Sequence, residues 1–361
     1  MHLNAKIVNN PADLNAVRAR WNRLTASLPE DISVFTSWEY VYANVTHFKP
    51  EGWFVVLLFD GDENGVPIAI FPLIYRKVNV DGSQVNICEP LGMMHCPFTE
   101  FHIQALYRRP ALDALTMVLR KHYLCDVLLF GQMHEDSKTY QHLLETIPAA
   151  QIKIIRKPAY PYIDSRHGSL KAYVAQKKES VLEEVFRRER RLSEVGKVDF
   201  RIITERSEIE AQVRELCRLS IDRFGPEHLY AWNSEWTEFV VELTLRLADI
   251  GITELSALYV DDRIVASHIG YVSKGRRYCY LIAYQPEFKR FSPSKTLLYK
   301  LIEKTFSEGG IFCFGPGLYP YKVEMSQLTA EVKVPWLFLN DTARPLLDGY
   351  INFEKFAKFF F

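Results

Sequence analysis

One order of elements occurs twice along this chain, and that repetition constrains the fold more than any other feature. In the first half a short strand, Lys6-Ile7-Val8, leads to a helix over Pro11 to Ser27 whose apolar positions Leu14, Val17, Trp21 and Leu24 recur at helical spacing. A second helix is predicted from Ser37 to His47. Three strand-like runs follow, Trp53 to Phe59, Val66 to Tyr75 and Gln84 to Leu91, separated by the turn dipeptides Asp60-Gly61 and Asp81-Gly82. A helix from Ala111 to Tyr123 and a short apolar strand from Val127 to Phe130, stopped by Gly131, close the series. The second half repeats it. A strand over Val198 to Ile203 precedes helices from Ser207 to Phe224 and from Ser234 to Asp249, with Ser207 as an N-cap. Strands over Thr253 to Val260, Ile264 to Val272 and Arg277 to Tyr284 lead to a helix from Pro293 to Ser307 and a strand from Ile311 to Phe314, stopped by Gly315. The series β-α-α-β-β-β-α-β reads as an internal duplication at domain scale, the alternative being two unrelated α+β domains; its period is far too long for a solenoid.

The boundary is expected near Lys157-Pro158-Ala159-Tyr160-Pro161, where two prolines predict a break in regular structure. This gives an N-terminal unit over 1–157 and a C-terminal unit over 158–361. The latter opens with a long helix from Leu170 to Val195 and ends with a strand over Trp336 to Leu339 and a helix from Thr342 that docks back. A chain of 361 residues suits two domains. With 48% hydrophobic and 24% charged residues it is globular rather than disordered. Lys and Arg number 44, as do Asp and Glu, so no global field draws the chain to nucleic acid or anionic lipid. The six cysteines are scattered without a CxxC pair, which fits buried thiols in a reducing compartment. The start Met1-His2-Leu3-Asn4-Ala5-Lys6 lacks a signal-peptide pattern and no run reaches the length of a membrane span, so the cytoplasm is the expected location. Cys88, His95, Cys96 and His102 match no metal-site spacing, and no metal is expected.

A three-strand meander, a helix and a returning strand form the order of the GNAT acyltransferase fold. In the second half, Ile264-Val265-Ala266-Ser267-His268, Tyr278 to Tyr284, Phe291-Ser292-Pro293-Ser294, Leu297-Leu298 and Gly315-Pro316-Gly317-Leu318-Tyr319-Pro320-Tyr321-Lys322 resemble the FemAB/FemX-type and CelD-like acyltransferases. The basic stretch Arg187 to Gly196 resembles the helix that precedes their second unit. The resemblance implies two tandem GNAT-like units, each a mixed α/β sheet flanked by helices, with the C-terminal unit on the acyl-donor side and the N-terminal unit structural or shaping the acceptor pocket. One departure stands out. The family usually has Gly where this chain has Ser294, and the stretch Lys289 to Thr296 holds no glycine to let a pyrophosphate approach the backbone.

The candidate site residues follow. Ser292 as N-cap and Pro293 at the first helical position would leave the amides of Ser294, Lys295 and Thr296 open at the positive end of a helix, with Arg290 and Lys295 adding charge: an anion site for a carrier phosphate. Lys322, flanked by Tyr319 and Tyr321 after a Gly-Pro-Gly break, matches the family's acyl-transfer lysine; a cation there could stabilise a developing oxyanion or grip an anionic substrate group. His268 within its strand is a candidate base, Tyr284 a candidate acid for the leaving group, and Glu324 a base near Lys322. Arg187, Arg188, Arg190 and Arg191 suggest nucleic acid, but Glu183 and Glu184 lie four residues before the first two and favour a solvated, salt-bridged face; Arg190 and Arg191 are left to hold a phosphorylated substrate. His95 and Glu100 are candidates for the acceptor.

The expectation is therefore an N-acyltransferase that uses acyl-CoA or an acyl-carrier protein as co-substrate, with no permanently bound cofactor, and a small-molecule or sugar amine as acceptor. An aminoacyl-tRNA donor, as in a Fem-type transferase, and a catalytically lapsed binding or assembly protein stand as the alternatives.

Overall fold

The computed structural model describes residues 3–28, 33–93, 96–224 and 234–348. By internal contacts the chain divides into unit 1, Met1–Lys157 with Glu331–Phe361, and unit 2, Pro158–Ala330. The residues from Glu331 on, which the sequence attaches to the C-terminal unit, thus cluster with unit 1.

In unit 1, β1 (Asn4–Val8), α1 (Pro11–Ala16), α2 (Arg18–Ser27) and α3 (Trp38–Phe48) precede the meander β2 (Trp53–Phe59), β3 (Ala69–Val80) and β4 (Ser83–Pro90). The expected single helix over Pro11 to Ser27 is divided at Val17, whose amide bonds Asp13 O and closes α1. After the two-residue β5 (His102–Ile103) come α4 (Arg108–Tyr123), β6 (Val127–Leu129), β7 (Met133–His134) and α5 (Lys138–Thr146). The strands β1 to β4 pair antiparallel in sequence order, and β6 then lies parallel to β4 through Ile87↔Val127 and Cys88↔Leu128. Leu14, Trp21 and Trp38 from the first helices pack on Val55, Leu57 and Ile70 of one sheet face. Leu112, Leu115 and Leu143 pack on Phe54, Val56 and Phe71 of the other.

The chain passes into unit 2 along β8 (Ile152–Asp164), which runs straight through the proline segment expected to break it. Pro161 contributes its carbonyl to the ladder, accepting from Phe314 N at 3.1 Å, so its missing N–H goes unneeded on that edge. The expected long helix over Leu170 to Val195 is α6 (Leu170–Lys177), a π-turn over Lys178–Leu182, and α7 (Glu183–Ser193). Then follow β9 (Val198–Ile203), α8 (Arg206–Phe224), α9 (Ser234–Ala248), β10 (Thr253–Val260), β11 (Arg263–Ser273), β12 (Arg276–Tyr284), α10 (Pro293–Glu308), β13 (Ile311–Cys313) and α11 (Pro320–Met325). Strand β14 (Leu328–Phe338) returns the chain to unit 1, where Trp336, Leu337 and Phe338 pair with β6 and α12 (Ala343–Asp348) packs through Leu347. The expected C-terminal helix is described only to Asp348; its continuation, and the Phe353 to Phe361 tail, lie outside the described residues.

Unit 2 is a mixed sheet in the order β8-β13-β12-β11-β10-β9, with β12 and β13 parallel and the other pairs antiparallel. Leu298, Leu301 and Ile302 of α10 pack with Val181, Leu182 and Val185 against Ile163 and Phe312. Gln212 of α8 donates to Ser267 Oγ of β11 at 2.6 Å. No helix of the described residues is long and apolar enough to cross a membrane.

Candidate active site

The site is built where β12 and β13 part. Their parallel pairing covers only Arg276↔Ile311, Arg277↔Phe312 and Tyr278↔Cys313. Beyond that point Phe314 turns its amide to Pro161 O, while β12 continues along β11 as far as Ala266↔Tyr284. The β11–β12 register shifts between Ile269 and Gly270, so β12 carries one extra residue just past the parting. Such a bulge bends a strand and re-aims its side chains. Gly270 is required there: a Cβ would lie 2.6 Å from both Tyr278 O and His268 Cε1.

Lys322 closes the base of this opening. It is 9% exposed, and its Nζ donates to Pro316 O at 3.0 Å and Gly315 O at 3.5 Å. Gly315, at φ +77, brings the loop so near that a Cβ on it would sit 3.4 Å from Cys279 O and 3.8 Å from Lys322 Nζ. The ammonium lies over the Tyr319 ring, 5.4 Å from its centroid. It has no carboxylate partner among the described residues, and burial lowers its pKa while the thiols of Cys279 and Cys313 oppose that shift. Cys279 is pushed up to about 12 by burial, against the pull of Lys322.

Above lies a groove of about 310 Å³. Ile282 and Tyr284 from β12, Leu298 from α10 and Tyr321 beside Lys322 form its walls. Its rim is cationic and polar: Arg188, Lys289, Ser292, Ser294 and Lys295. Ser292 stands at the N-cap position of α10, but at φ 47 its side chain makes no capping bond, contrary to the sequence expectation. A serine caps from extended backbone, and this one is left-handed, with its hydroxyl accepting from Arg188 Nη1. Ser294 Oγ is buried with no hydrogen-bond partner among the described residues. Thr296 Oγ1 is equally unpartnered but belongs to a buried residue outside the groove lining. Lys295 is paired with Glu324 at 3.1 Å, which takes the latter away from Lys322. Arg290 stacks its guanidinium over Phe291, 4.7 Å from the ring centroid, and does not line the groove.

The structure therefore brings Tyr284, Tyr321, Ser292, Ser294 and Lys295 to one groove; Lys322, next in the chain to Tyr321, is not one of its lining residues. His268 is elsewhere. It is fully buried, its Nδ1 lies 3.2 Å from Ser256 Oγ, and burial, aided by Arg277, pushes it down to about 3. Arg190 and Arg191 are exposed on α7 with no ion pair among the described residues. Glu100 belongs to unit 1; burial pushes it up to about 7 against the hydroxyls of Ser137 and Thr139. His95 lies outside the described residues. Arg188, which sequence reasoning treated as part of a solvated face, is instead a lining residue, because its partners stand 102 and 104 positions away.

The family model described as acetyltransferase (GNAT) domain matches residues 180–323. Solved structures similar to the whole chain include FemX, at 11% identity over 95% of this chain and 99% of that one, with a TM-score of 0.61. The C-terminal domain (DUF2156) of a putative lysylphosphatidylglycerol synthetase from Agrobacterium fabrum is 12% identical over 95% and 97%, with a TM-score of 0.57. L-PGS from Bacillus licheniformis is 12% identical over 91% and 96%, with a TM-score of 0.52. No curated protein matches the chain. At these identities the likeness is one of fold, and the fold is that of the GNAT acyltransferase superfamily: a mixed α/β sheet flanked by helices, parted beside the helix that follows its meander.

Proposed function

We propose that this protein is an N-acyltransferase that moves an acyl or aminoacyl group from an activated carrier, acyl-CoA or an acyl-carrier protein, to an amine acceptor. The observation that carries the reading is Lys322: a buried ammonium without an acidic partner among the described residues, held by two backbone carbonyls at the base of the opening between β12 and β13. A fold does not keep an unpaired charge buried for stability, since an apolar residue of similar size does that better. The amine nitrogen attacks the acyl carbonyl carbon; the new C–N bond forms, the C–S bond of the thioester breaks, the nitrogen gives up one proton, and the thiol leaves with one, so the step is balanced. Lys322 would meet the negative charge on the carbonyl oxygen, and Tyr284 or Tyr321 would supply the proton to the sulfur. The carrier's phosphate would lie at the start of α10, where Arg188, Lys289 and Lys295 give the rim its charge and Ser294 Oγ offers a free donor. Positioning in the groove would supply most of the remaining rate.

The repeated element order supports a tandem reading, in which unit 1 is a second GNAT-like body, and Tyr319 belongs to the acceptor path of unit 2. One observation favours a different donor. The start of α10 holds no glycine and its Ser292 hydroxyl is occupied by Arg188, so an aminoacyl-tRNA or a purely binding role takes over if coenzyme A carriers fail. Thermal denaturation with each carrier tests the proposal. Saturation at about 100 times Kd stabilises the native state by about 2.7 kcal/mol and raises the midpoint by several degrees. An unmoved midpoint with acetyl-CoA, longer acyl-CoAs and acyl-carrier protein would contradict it.

A further inference from the structure

We infer that Arg188 is a positioning residue that holds the glycine-free turn before α10 in its anion-binding shape; this rests on the acyl-carrier reading above. The turn over Pro286–Phe291 ends in Ser292, whose φ of 47 lies in the left-handed region that glycine adopts freely and serine does not. Within the turn the Ser292 amide bonds Lys289 O at 3.0 Å, and a second hold comes from outside. Arg188, from α7, reaches across: its Nη1 donates to Arg290 O at 3.2 Å and also to Ser292 Oγ. Its Nε is in turn gripped by Glu184 Oε1, one turn back on the same helix. Glu184 also accepts from Arg187, so the carboxylate is fixed between two guanidiniums, and both pull its pKa down.

The consequence lies at the groove. With its backbone left-handed and its hydroxyl on Arg188, Ser292 does not cap α10, and the first turn keeps no side-chain cap. The guanidinium itself lines the groove together with Lys289 and Ser294. The planar guanidinium reaches both acceptors through Nη1 while its Nε stays on Glu184, a three-way contact whose geometry the freely rotating ammonium of a lysine does not fix. Arg188 thereby does for this turn what a glycine does elsewhere: it sets the backbone shape, here by an external strut rather than by conformational freedom.

The test is a double-variant series on the full-length chain, read by calorimetric titration with coenzyme A and by KM and kcat for acyl-CoA. Arg188→Ala should raise the Kd for coenzyme A and the KM by about tenfold, with kcat changed far less. Arg188→Lys, which keeps the charge, should behave like Arg188→Ala. Adding Ser292→Gly to Arg188→Ala should recover most of the lost affinity, because glycine adopts the turn unaided. Recovery by Arg188→Lys with none from Ser292→Gly would overturn the inference and leave Arg188 as a simple charge. Wild-type binding with Arg188→Ala unchanged would overturn it as well, while leaving the acyl-carrier reading intact. No binding by the wild type would remove that reading and this inference with it.

Discussion

Lys322 Nζ lies 3.0 Å from Pro316 O, and its charge is met by carbonyl dipoles rather than by any carboxylate among the described residues. Lys322→Met therefore removes a buried ammonium and leaves a side chain of similar length. The stability of the variant should equal or exceed that of the wild type at neutral pH. The pH dependence has a definite sign. Burial lowers this lysine's pKa, so between its folded and unfolded values the unfolded chain holds a proton that the folded chain lacks. Wild-type stability should then rise with pH through that window, below the ordinary lysine range, and lose this rise in Lys322→Met. Urea unfolding across alkaline pH measures the difference; parallel curves would mean that the ammonium is well solvated.

His268 gives the opposite end of the scale. With its pKa pushed down to about 3, it is neutral in the folded protein at any ordinary pH. The unfolded chain takes up a proton near pH ~6.5 that the folded chain refuses, so stability should fall as pH drops from there toward 3. The slope from this group approaches about 1.4 kcal/mol per pH unit, and His268→Gln should reduce it. The pH profile of acyl transfer should survive that substitution, since His268 does not line the groove. A lost acidic limb with an unchanged fold would restore His268 as the base.

Arg277 and Glu254 form a buried pair at 2.6 Å, continued by Thr305 Oγ1 at 2.9 Å and by Glu308. Glu254→Ala leaves the guanidinium among buried atoms with Thr305 Oγ1 and a half-exposed carboxylate as partners, and should cost about 3 kcal/mol. Chemical denaturation measures it. A loss below about 1 kcal/mol would show that Glu308 alone satisfies Arg277.

Gly270 sits at the bulge that opens β12 from β13, and a Cβ there meets Tyr278 O at 2.6 Å. Gly270→Ala should cost about 1–3 kcal/mol and lower acyl transfer beyond its effect on stability, because the bulge aims the groove wall. Turnover corrected for the folded fraction decides; a purely proportional loss would confine Gly270 to packing.

Much of this architecture is written locally. The short apolar runs from Thr253 to Tyr284 and the turns between them lead directly to β10, β11 and β12, because a run of this length bounded by turn residues signals a strand from its own residues alone. Strand β8 escaped for the converse reason. Its prolines oppose a strand locally, and the N–H that Pro161 O accepts comes from Phe314, 153 positions away and just past β13. The long helix before β9 was legible as helix but not as interrupted, since a single π-turn leaves the apolar stripe almost unchanged. Within the site, Lys322 and the start of α10 were visible as residues, whereas their states were not. Neither the burial of Lys322 nor that of His268 follows from its neighbours in sequence, and the Arg188–Ser292 contact joins residues 104 positions apart.

Amine-dependent release of thiol from acyl-CoA shows whether the buried Lys322 ammonium serves the transferring carbonyl. Wild type and Lys322→Met should be compared at matched folded fractions, over a panel of amines, by trapping the freed thiol. Loss of one oxyanion donor predicts a fall in kcat of about 10²–10³ with little change in KM. Equal turnover by the methionine variant would contradict the account.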